Sequence, residues 1–183
     1  TYCGEGTWRQ LGNPAMPMYL SCAGSPDWQE KMIESARYCL DLGADGVLYD
    51  IGGITPYFCY DEGHKHAKPS HSCSEKARRY GELHDYIRSR GADKAIMMEH
   101  NIDVFAQHMD LSQGGTTKPG PLELVELYRY TFPELIMTNR NVAHDEVNYR
   151  EHANYSFVYG LRFDMSIYRC CGSLSDLPNY AAY

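Results

Sequence analysis

The hydrophobic and polar residues of this chain alternate in blocks that predict helices followed by short strands. Between Trp28 and Leu42, apolar residues recur at the three- and four-residue spacing of a helix face. Ser25-Pro26-Asp27 precedes this block and favours a helix start, because serine caps free N–H groups and proline fits the first turn. Gly43 follows the block and favours the end of the helix.

The order of helix, turn, strand and carboxylate then occurs twice. Gly43-Ala44-Asp45 leads into the apolar run Val47-Leu48-Tyr49, and Asp50 follows directly. Gly91-Ala92-Asp93 leads into a second apolar run that ends at Glu99, and the first glycines of the two motifs are 48 residues apart. Short, continuous apolar runs of this kind suit parallel strands that are buried on both faces.

The whole pattern predicts an α/β fold. Further helices are predicted over residues 74–90 and 121–130, and further strands over 17–22 and 133–140. Helix–strand alternation favours a parallel sheet covered by helices. We expect residues 1–183 to form a single domain of the TIM-type (β/α) barrel class. Since a whole barrel needs about 250 residues, the prediction is a partial barrel that covers the middle and later strands.

Composition narrows the classes of partner. The formal net charge is −7, and an acidic protein is poorly suited to binding nucleic acid through its phosphates. No apolar run approaches the roughly 20 residues that span a bilayer, so no membrane partner is expected. The seven cysteines are irregularly spaced and odd in number, which does not predict a disulfide framework. We therefore expect reduced thiols and a cytoplasmic location, with flanking domains of a longer chain compatible with the pattern.

Carboxylates, histidines and an arginine follow three successive predicted strands. Asp50 ends the first, Glu99 and His100 end the second, and Arg140 and Asp145 follow the third. Active sites of parallel α/β proteins lie at the carboxyl ends of the strands. An aspartate that only caps a turn is the alternative interpretation of Asp50.

Two carboxylates on neighbouring strands favour the cleavage of glycosidic bonds. That reaction needs one acid to protonate the leaving oxygen and a second carboxylate to attack the anomeric carbon or to activate water. Neighbouring strands lie about 4.8 Å apart, which is compatible with the separation of about 5.5 Å in retaining enzymes. We predict that Asp50 is the nucleophile and that Glu99 is the general acid/base, with retention of configuration favoured.

Three stretches of the chain resemble a family of bacterial glycoside hydrolase-like barrels. They are Gly12-Asn13-Pro14, residues 18–30 and residues 43–50. This poorly characterised family is distantly similar to the alpha-galactosidase and alpha-amylase barrels. The resemblance implies a (β/α) barrel that acts on carbohydrate.

The resemblance also implies roles for individual acids. In such families the aspartate that ends the fourth strand is the nucleophile, and Asp50 matches that position. Glu99 resembles the acid after the fifth strand of the amylase-like barrels. The alpha-galactosidase-like pattern places the acid/base after the sixth strand, which favours Asp145 instead. The choice between Glu99 and Asp145 stays open at this point.

The expected partner is a neutral oligosaccharide or glycoside. Aromatic residues make up 13% of the chain, and rigid aromatic rings suit the flat C–H faces of sugars. Polar side chains near the strand ends are expected to bind sugar hydroxyls. The predicted substrate-binding residues are Tyr49, Tyr57, His64, His66, His100, Asp103, Asp110 and Arg140.

A run of histidines and cysteines follows the Asp50 strand. Its members are Cys59, His64, His66, His71 and Cys73. Zinc binds such side chains, but the usual Cys-x₂₋₄-Cys and His-x₃₋₅-His spacings are absent. The sequence therefore predicts a long functional loop and no metal or other cofactor. Two alternatives to the glycosidase remain, namely a metal-dependent hydrolase that uses this loop and a non-catalytic carbohydrate-binding barrel.

Overall fold

The structure is a computed structural model, and it describes nine segments of the chain. They are residues 2–8, 16–50, 52, 58–64, 66, 72–100, 102–113, 125–139 and 149–163. Within these segments no helix is both long and apolar enough to cross a membrane.

Seven strands and five helices occur in the described segments. The strands are β1 (Tyr2–Trp8), β2 (Met16–Ser21), β3 (Gly46–Tyr49), β4 (Ala95–Glu99), β5 (Leu111–Gln113), β6 (Ile136–Asn139) and β7 (Arg162–Phe163). The helices are α1 (Pro26–Asp41), α2 (Ser72–Ser89), α3 (Asp103–Ala106), α4 (Val125–Thr131) and α5 (Tyr149–Tyr159).

Five of the strands form one sheet in the order β3-β4-β5-β6-β7. β4 pairs with β5, β5 with β6 and β6 with β7, in each case in parallel. Helices separate most of these strands along the chain, so the predicted α/β class with a parallel sheet is confirmed. β1 and β2 lie in a separate antiparallel pair, which the apolar pattern did not predict.

The chain divides into two compact units. Unit 1 comprises Thr1–Val47 and Thr55–Lys94, and unit 2 comprises Leu48–Ile54 and Ala95–Tyr183. The expectation of a single barrel domain stays a prediction.

The core of unit 1 lies between α1 and α2. Met32, Ala36 and Leu40 are buried on α1, at the spacing predicted for its apolar face. Leu83 and Ile87 are fully buried on α2. Gln29 on α1 also donates a hydrogen bond to the backbone oxygen of Arg79 on α2, at 3.1 Å. The two amphipathic helices therefore bury their apolar faces against each other.

The two Gly-Ala-Asp motifs end their helices in different ways. After α1, the N–H of Gly43 bonds the oxygen of Leu40 and the N–H of Ala44 bonds the oxygen of Cys39. This pair of bonds is a Schellman motif, and Gly43 has the positive φ of 95° that it requires. Gly91 has no positive φ and ends α2 in a tight turn to Arg88.

Lys94, directly after the second Gly-Ala-Asp motif, connects it to the first one. Its Nζ donates to the backbone oxygen of Ala44 at 3.0 Å and to Oδ1 of Asp45 at 2.9 Å. The hydrogen bond from Lys94 lowers the pKa of the Asp45 carboxyl. The contact places the two helix ends side by side in unit 1.

In unit 2 the core surrounds the central strands. Ile96 and Met98 of β4 are fully buried, as are Phe105 of α3 and Leu135 before β6. Asn139, at the end of β6, is also fully buried, and its Nδ2 donates to Oγ of Ser156 on α5 at 3.1 Å. The polar residue at this strand end therefore connects sheet and helix.

Candidate functional site

Asp50 lies in a tight turn directly after β3. The N–H of Gly52 donates to the backbone oxygen of Tyr49 at 3.1 Å, so Asp50 occupies the second position of the turn. A Cβ at Gly52 would come within 2.8 Å of that oxygen, which explains why glycine is needed there. The Asp50 side chain is exposed. The turn places an exposed carboxyl group at the carboxyl end of the strand.

Glu99 ends β4, the neighbour of β3 in the sheet. It is buried, with 9% of its surface exposed. Asp50 and Glu99 therefore lie at the ends of neighbouring strands, while their pairing as catalytic acids stays a prediction. One acid is exposed and the other is nearly enclosed, and two carboxyl groups in different surroundings are suited to different chemical roles.

His100 has a backbone conformation that side chains rarely adopt, with φ at 61°. Its N–H donates to the backbone oxygen of Gln113 at 2.9 Å, and the hydroxyl of Ser112 donates to the backbone oxygen of His100 at 3.4 Å. The neighbouring β5 thus holds the chain in a sharp change of direction directly after Glu99. Left-handed backbone at a residue other than glycine costs about 1–3 kcal/mol and is concentrated at functional sites.

The remaining acids predicted to bind substrate have local structural contacts. Asp103 is exposed at the start of the short helix α3, and its Oδ1 accepts a hydrogen bond from the N–H of Val104 at 2.8 Å. Burial, followed by the negative charge of Asp103, raises the pKa of Tyr128.

Asp110 lies at the opposite end of the sheet from Glu99, because it directly precedes β5. Its carboxylate accepts a hydrogen bond from the N–H of Ile96 at 2.9 Å, and its own N–H donates to the oxygen of Ile96 at 3.0 Å. Its backbone oxygen accepts from the N–H of Ile136 at 3.1 Å. Asp110 therefore joins the amino ends of three strands, a position that corrects its expected place among the residues at the carboxyl ends.

Three of the predicted site residues fall outside the described segments. They are Tyr57, Arg140 and Asp145. The choice between Glu99 and Asp145 as acid/base therefore stays a prediction, as do the roles of Tyr57 and Arg140 in substrate binding.

Four cysteine and histidine side chains come together in unit 1. One ligand atom from each of Cys22, Cys59, His64 and His66 lies within 4.8 Å of all the others. The Sγ of Cys22 is 3.2 Å from Nε2 of His66, and the Sγ of Cys59 is 3.0 Å from Nδ1 of His64. Both cysteines are thiols and are almost completely buried. We call these four residues the Cys/His cluster.

Short turns position the members of the Cys/His cluster. Cys22 follows β2, where its backbone oxygen accepts a hydrogen bond from the N–H of Ser25 at 3.0 Å. His64 and His66 are connected by a bond of 2.9 Å from the N–H of His66 to the oxygen of His64. Their rings meet edge to face, with centroids 5.6 Å apart. The cluster therefore joins the end of β2 to the loop that follows β3.

Cys59, His64 and His66 belong to the run of histidines and cysteines in the sequence, whereas Cys22 lies far outside it. Cys22 lies 37 residues before Cys59, and a search for short ligand spacings does not reach that far. His71 and the side chain of Cys73 lie outside what the structure describes. Contact of His64 and His66 with substrate stays a prediction, while the structure places both rings against thiols.

Comparison with known proteins gives a likeness in fold. No family model and no curated protein matches the chain. The chain is similar to a crystal structure of Paenibacillus sp. cycloisomaltooligosaccharide glucanotransferase in complex with cycloisomaltoheptaose, with a TM-score of 0.52 and 15% sequence identity. The match covers 74% of this chain and 21% of that chain, so this chain spans about a fifth of that protein. At this identity the likeness concerns the fold alone.

Proposed function

We propose that this chain carries the catalytic carboxylates of a glycoside hydrolase that acts on a neutral oligosaccharide. The observation that supports the proposal best is the position of Asp50 and Glu99 at the ends of neighbouring strands β3 and β4. The carboxyl ends of parallel strands are where this class of fold builds active sites. The likeness in fold to a glucanotransferase that was crystallised with an oligosaccharide is compatible with this substrate class.

The surroundings of the two acids suit a division of roles. Asp50 is exposed in its turn and is placed to approach a sugar from the solvent side. Glu99 is nearly buried, where a general acid is shielded from water. We assign Asp50 as the nucleophile and Glu99 as the acid/base of a retaining mechanism.

In the first step, Glu99 donates its proton to the glycosidic oxygen while a carboxylate oxygen of Asp50 attacks the anomeric carbon. The bond between that carbon and the leaving oxygen breaks, and the sugar becomes an ester of Asp50. In the second step, Glu99 takes a proton from water, whose oxygen attacks the anomeric carbon and releases Asp50. Replacement of water by a sugar hydroxyl in this step gives transfer in place of hydrolysis.

His100 and Tyr49 flank the two acids along the chain, and we propose that both side chains bind sugar hydroxyls. The rigid backbone at His100 would hold its ring in one place, because two hydrogen-bonding contacts with β5 fix the peptide groups on either side. Fixed positioning of a substrate is one of the main sources of catalytic rate.

Substitution of the acids tests the proposed function. Purified protein is assayed for reducing-sugar release on a panel of neutral glucans and galactosides. We expect Glu99→Gln to lower the rate by about 10²–10⁴-fold, the usual contribution of a general acid/base, and Asp50→Asn to lower it at least as far. Asp45→Asn, which removes an exposed acid from unit 1, is the matched control and should keep its activity. Circular dichroism melting checks that each variant is folded.

An added nucleophile distinguishes the roles of the two acids. In Asp50→Ala, azide should restore turnover and give a glycosyl azide of inverted anomeric configuration, because it takes the place of the missing carboxylate. A variant that lacks only the acid/base would give the azide of retained configuration. Near-normal hydrolysis by a folded Asp50→Asn variant would contradict the proposal, as would a wild-type protein that releases no sugar from any member of the panel. Loss of activity in Asp145→Asn together with full activity in Glu99→Gln would transfer the acid/base role to Asp145.

A further inference from the structure

We propose that Cys22, Cys59, His64 and His66 form a closed, tetrahedral zinc site that stabilises unit 1. This inference does not depend on the proposed glycosidase, since its residues and its tests are separate. It also departs from the sequence-based expectation that the chain has no metal site.

The distances in the Cys/His cluster suit tetrahedral zinc. Zinc bonds of about 2.3 Å to sulfur and about 2.0–2.1 Å to nitrogen place neighbouring ligand atoms roughly 3.3–3.8 Å apart at tetrahedral angles. The two measured sulfur–nitrogen distances are 3.2 and 3.0 Å, and no pair of the four atoms exceeds 4.8 Å. The four ligand atoms therefore lie within about 1 Å of the separations that tetrahedral zinc needs, so small shifts of the side chains would complete the site.

The donor atoms select the class of metal. Two sulfurs and two imidazole nitrogens suit zinc, whereas magnesium and calcium take oxygen ligands. When both thiols lose their protons, the two thiolates balance the charge of Zn²⁺, and the two neutral imidazoles add no charge. A neutral centre suits the surroundings of Cys22 and Cys59, which are 2% and 1% exposed, because an uncompensated charge is costly to bury.

The number of protein ligands favours a structural role. Structural zinc sites have four protein ligands, whereas catalytic sites keep a position open for water. All four ligand positions are accounted for by the cluster. The alternative of a metal-dependent hydrolase that uses this loop is therefore disfavoured.

A second layer of contacts orients His64. While Nδ1 of His64 faces Cys59, its Nε2 lies 3.7 Å from Oδ2 of Asp61. The other carboxylate oxygen of Asp61 accepts a hydrogen bond from the N–H of Gly63 at 2.7 Å. A histidine that binds a metal through one nitrogen and faces a carboxylate with the other is a recurrent arrangement around zinc.

His66 is positioned by close packing. A Cβ at Gly24 would lie 2.8 Å from Cδ2 of the His66 ring. The absence of a side chain at Gly24 therefore leaves the space in which the ring reaches Cys22. Both histidines are thus held by the residues around them, in addition to their contacts with the thiols.

The proposed site would close a long loop of the chain. Cys22 follows β2 and the other three ligands lie in residues 59–66, so the metal joins segments 37 residues apart in sequence between Cys22 and Cys59. A cross-link of this length restricts the unfolded chain and makes metal binding part of the free energy of folding.

The metal content of the wild-type protein is the first test. Protein stripped with a chelator is titrated with Zn²⁺ and, separately, with Co²⁺. We expect about one metal per chain, and the cobalt form should show a sulfur-to-cobalt charge-transfer band and the intense ligand-field bands of a tetrahedral site. Failure to bind Zn²⁺, or a cobalt spectrum with no sulfur band, would overturn the inference.

Matched cysteine variants identify the ligands. Cys22→Ser and Cys59→Ser should each weaken Zn²⁺ binding by at least about 100-fold, because one of four ligands is lost. Cys39→Ser, on α1 and outside the cluster, should bind Zn²⁺ as the wild type does. Where a cluster variant does not fold, His66→Cys supplies a thiolate in place of the imidazole and should keep the site. Unchanged Zn²⁺ affinity in folded Cys22→Ser would show that the cluster is not the metal site.

Discussion

Asp61 contacts two parts of the loop that carries the Cys/His cluster. One carboxylate oxygen fixes the turn at Gly63 and the other faces the ring of His64. The hydrogen bond from Gly63 needs only an acceptor oxygen. The contact with His64 is strengthened by the negative charge of the carboxylate. Replacement of the Asp61 carboxylate by an amide would therefore remove the charge that faces His64 while the turn at Gly63 is kept.

Asp61→Asn should keep the turn and weaken zinc binding by about tenfold, the lower end of the effect of such supporting residues. The Asn oxygen still accepts the bond from Gly63, while the charge that faces His64 is gone. Glu62→Gln, which removes the same charge one residue further on, is the control and should change the affinity by less than about twofold. Competition with a chromophoric chelator measures the Zn²⁺ affinity of both variants. An equal loss of affinity in the two variants would show that net charge alone causes it.

At the scale of single residues, the sequence predicts the positions that depend on neighbouring residues in the chain. Asp50 and Glu99 could be assigned to strand ends because the apolar runs before them are continuous. Cys22 could not be assigned to the Cys/His cluster, since its partners depend on how the chain returns after β3. Asp110 follows Glu99 in the sequence, and its place directly before β5 could not be predicted, because a three-residue strand is too short to show a periodicity.

At the scale of elements, α1 ends through the positive φ of Gly43. A Cβ at this position would meet no atom within 4 Å, so a substitution there tests the backbone conformation alone. Gly91 ends α2 without a positive φ. A Cβ there would meet Oδ1 of the exposed Asp93 at 2.8 Å and Cγ of Lys94 at 3.1 Å, and both are side-chain atoms that are able to shift. Two glycines with the same sequence context thus have different requirements.

Gly43→Ala should lower the free energy of unfolding by about 1–2 kcal/mol, because left-handed backbone is unfavourable for alanine. Gly91→Ala should have an effect of less than about 1 kcal/mol in either direction. Urea denaturation followed by circular dichroism measures both. Equal destabilisation by the two substitutions would show that the end of α1 does not depend on the positive φ.

The long amphipathic elements were the predictable ones. The helices over residues 28–42 and 74–90 and the strands before Asp50 and Glu99 agree with α1, α2, β3 and β4 within a few residues. α3 and β5 have no predictive pattern, because elements of four and three residues are specified by their neighbours in the fold. The seven-residue β1 also lacks a pattern that predicts it.

At the scale of the whole molecule, the Cys/His cluster and the proposed catalytic acids belong to different compact units. All four cluster residues lie in unit 1, and Asp50 and Glu99 lie in unit 2. Stability that a metal adds should therefore appear first in the unit that contains its ligands, since different parts of a protein open with different free energies.

Removal of the metal should increase amide hydrogen exchange in α1 and α2 by at least about tenfold, through loss of the binding free energy. Exchange in β4, β5 and β6 should change by less than about twofold. Mass spectrometry of peptides from the wild-type protein, before and after chelation, gives both values. Cys22→Ser provides the control, because chelation should leave its exchange pattern unchanged; a uniform increase over both units in the wild type would contradict the local effect.

For the whole molecule, the sequence predicts the α/β class of the fold but not whether the sheet closes into a barrel. Helices and strands alternate along the chain, and this alternation predicts the parallel sheet. Whether five adjacent strands belong to a closed barrel depends on contacts between segments distant in sequence, which a local pattern does not encode. The partial (β/α) barrel accordingly stays a prediction.

The hydrogen bonds of Asp110 bear on how the sequence of such a protein can change during evolution. Its bonds join the amino ends of β4, β5 and β6, while the proposed chemistry lies beyond the carboxyl ends. Apart from the proposed catalytic acids and Gly52, residues beyond the carboxyl ends are then able to vary with the sugar that is bound, because β4, β5 and β6 are anchored from the other side. Selection for a new substrate can act on one edge of the sheet while the opposite edge preserves the fold.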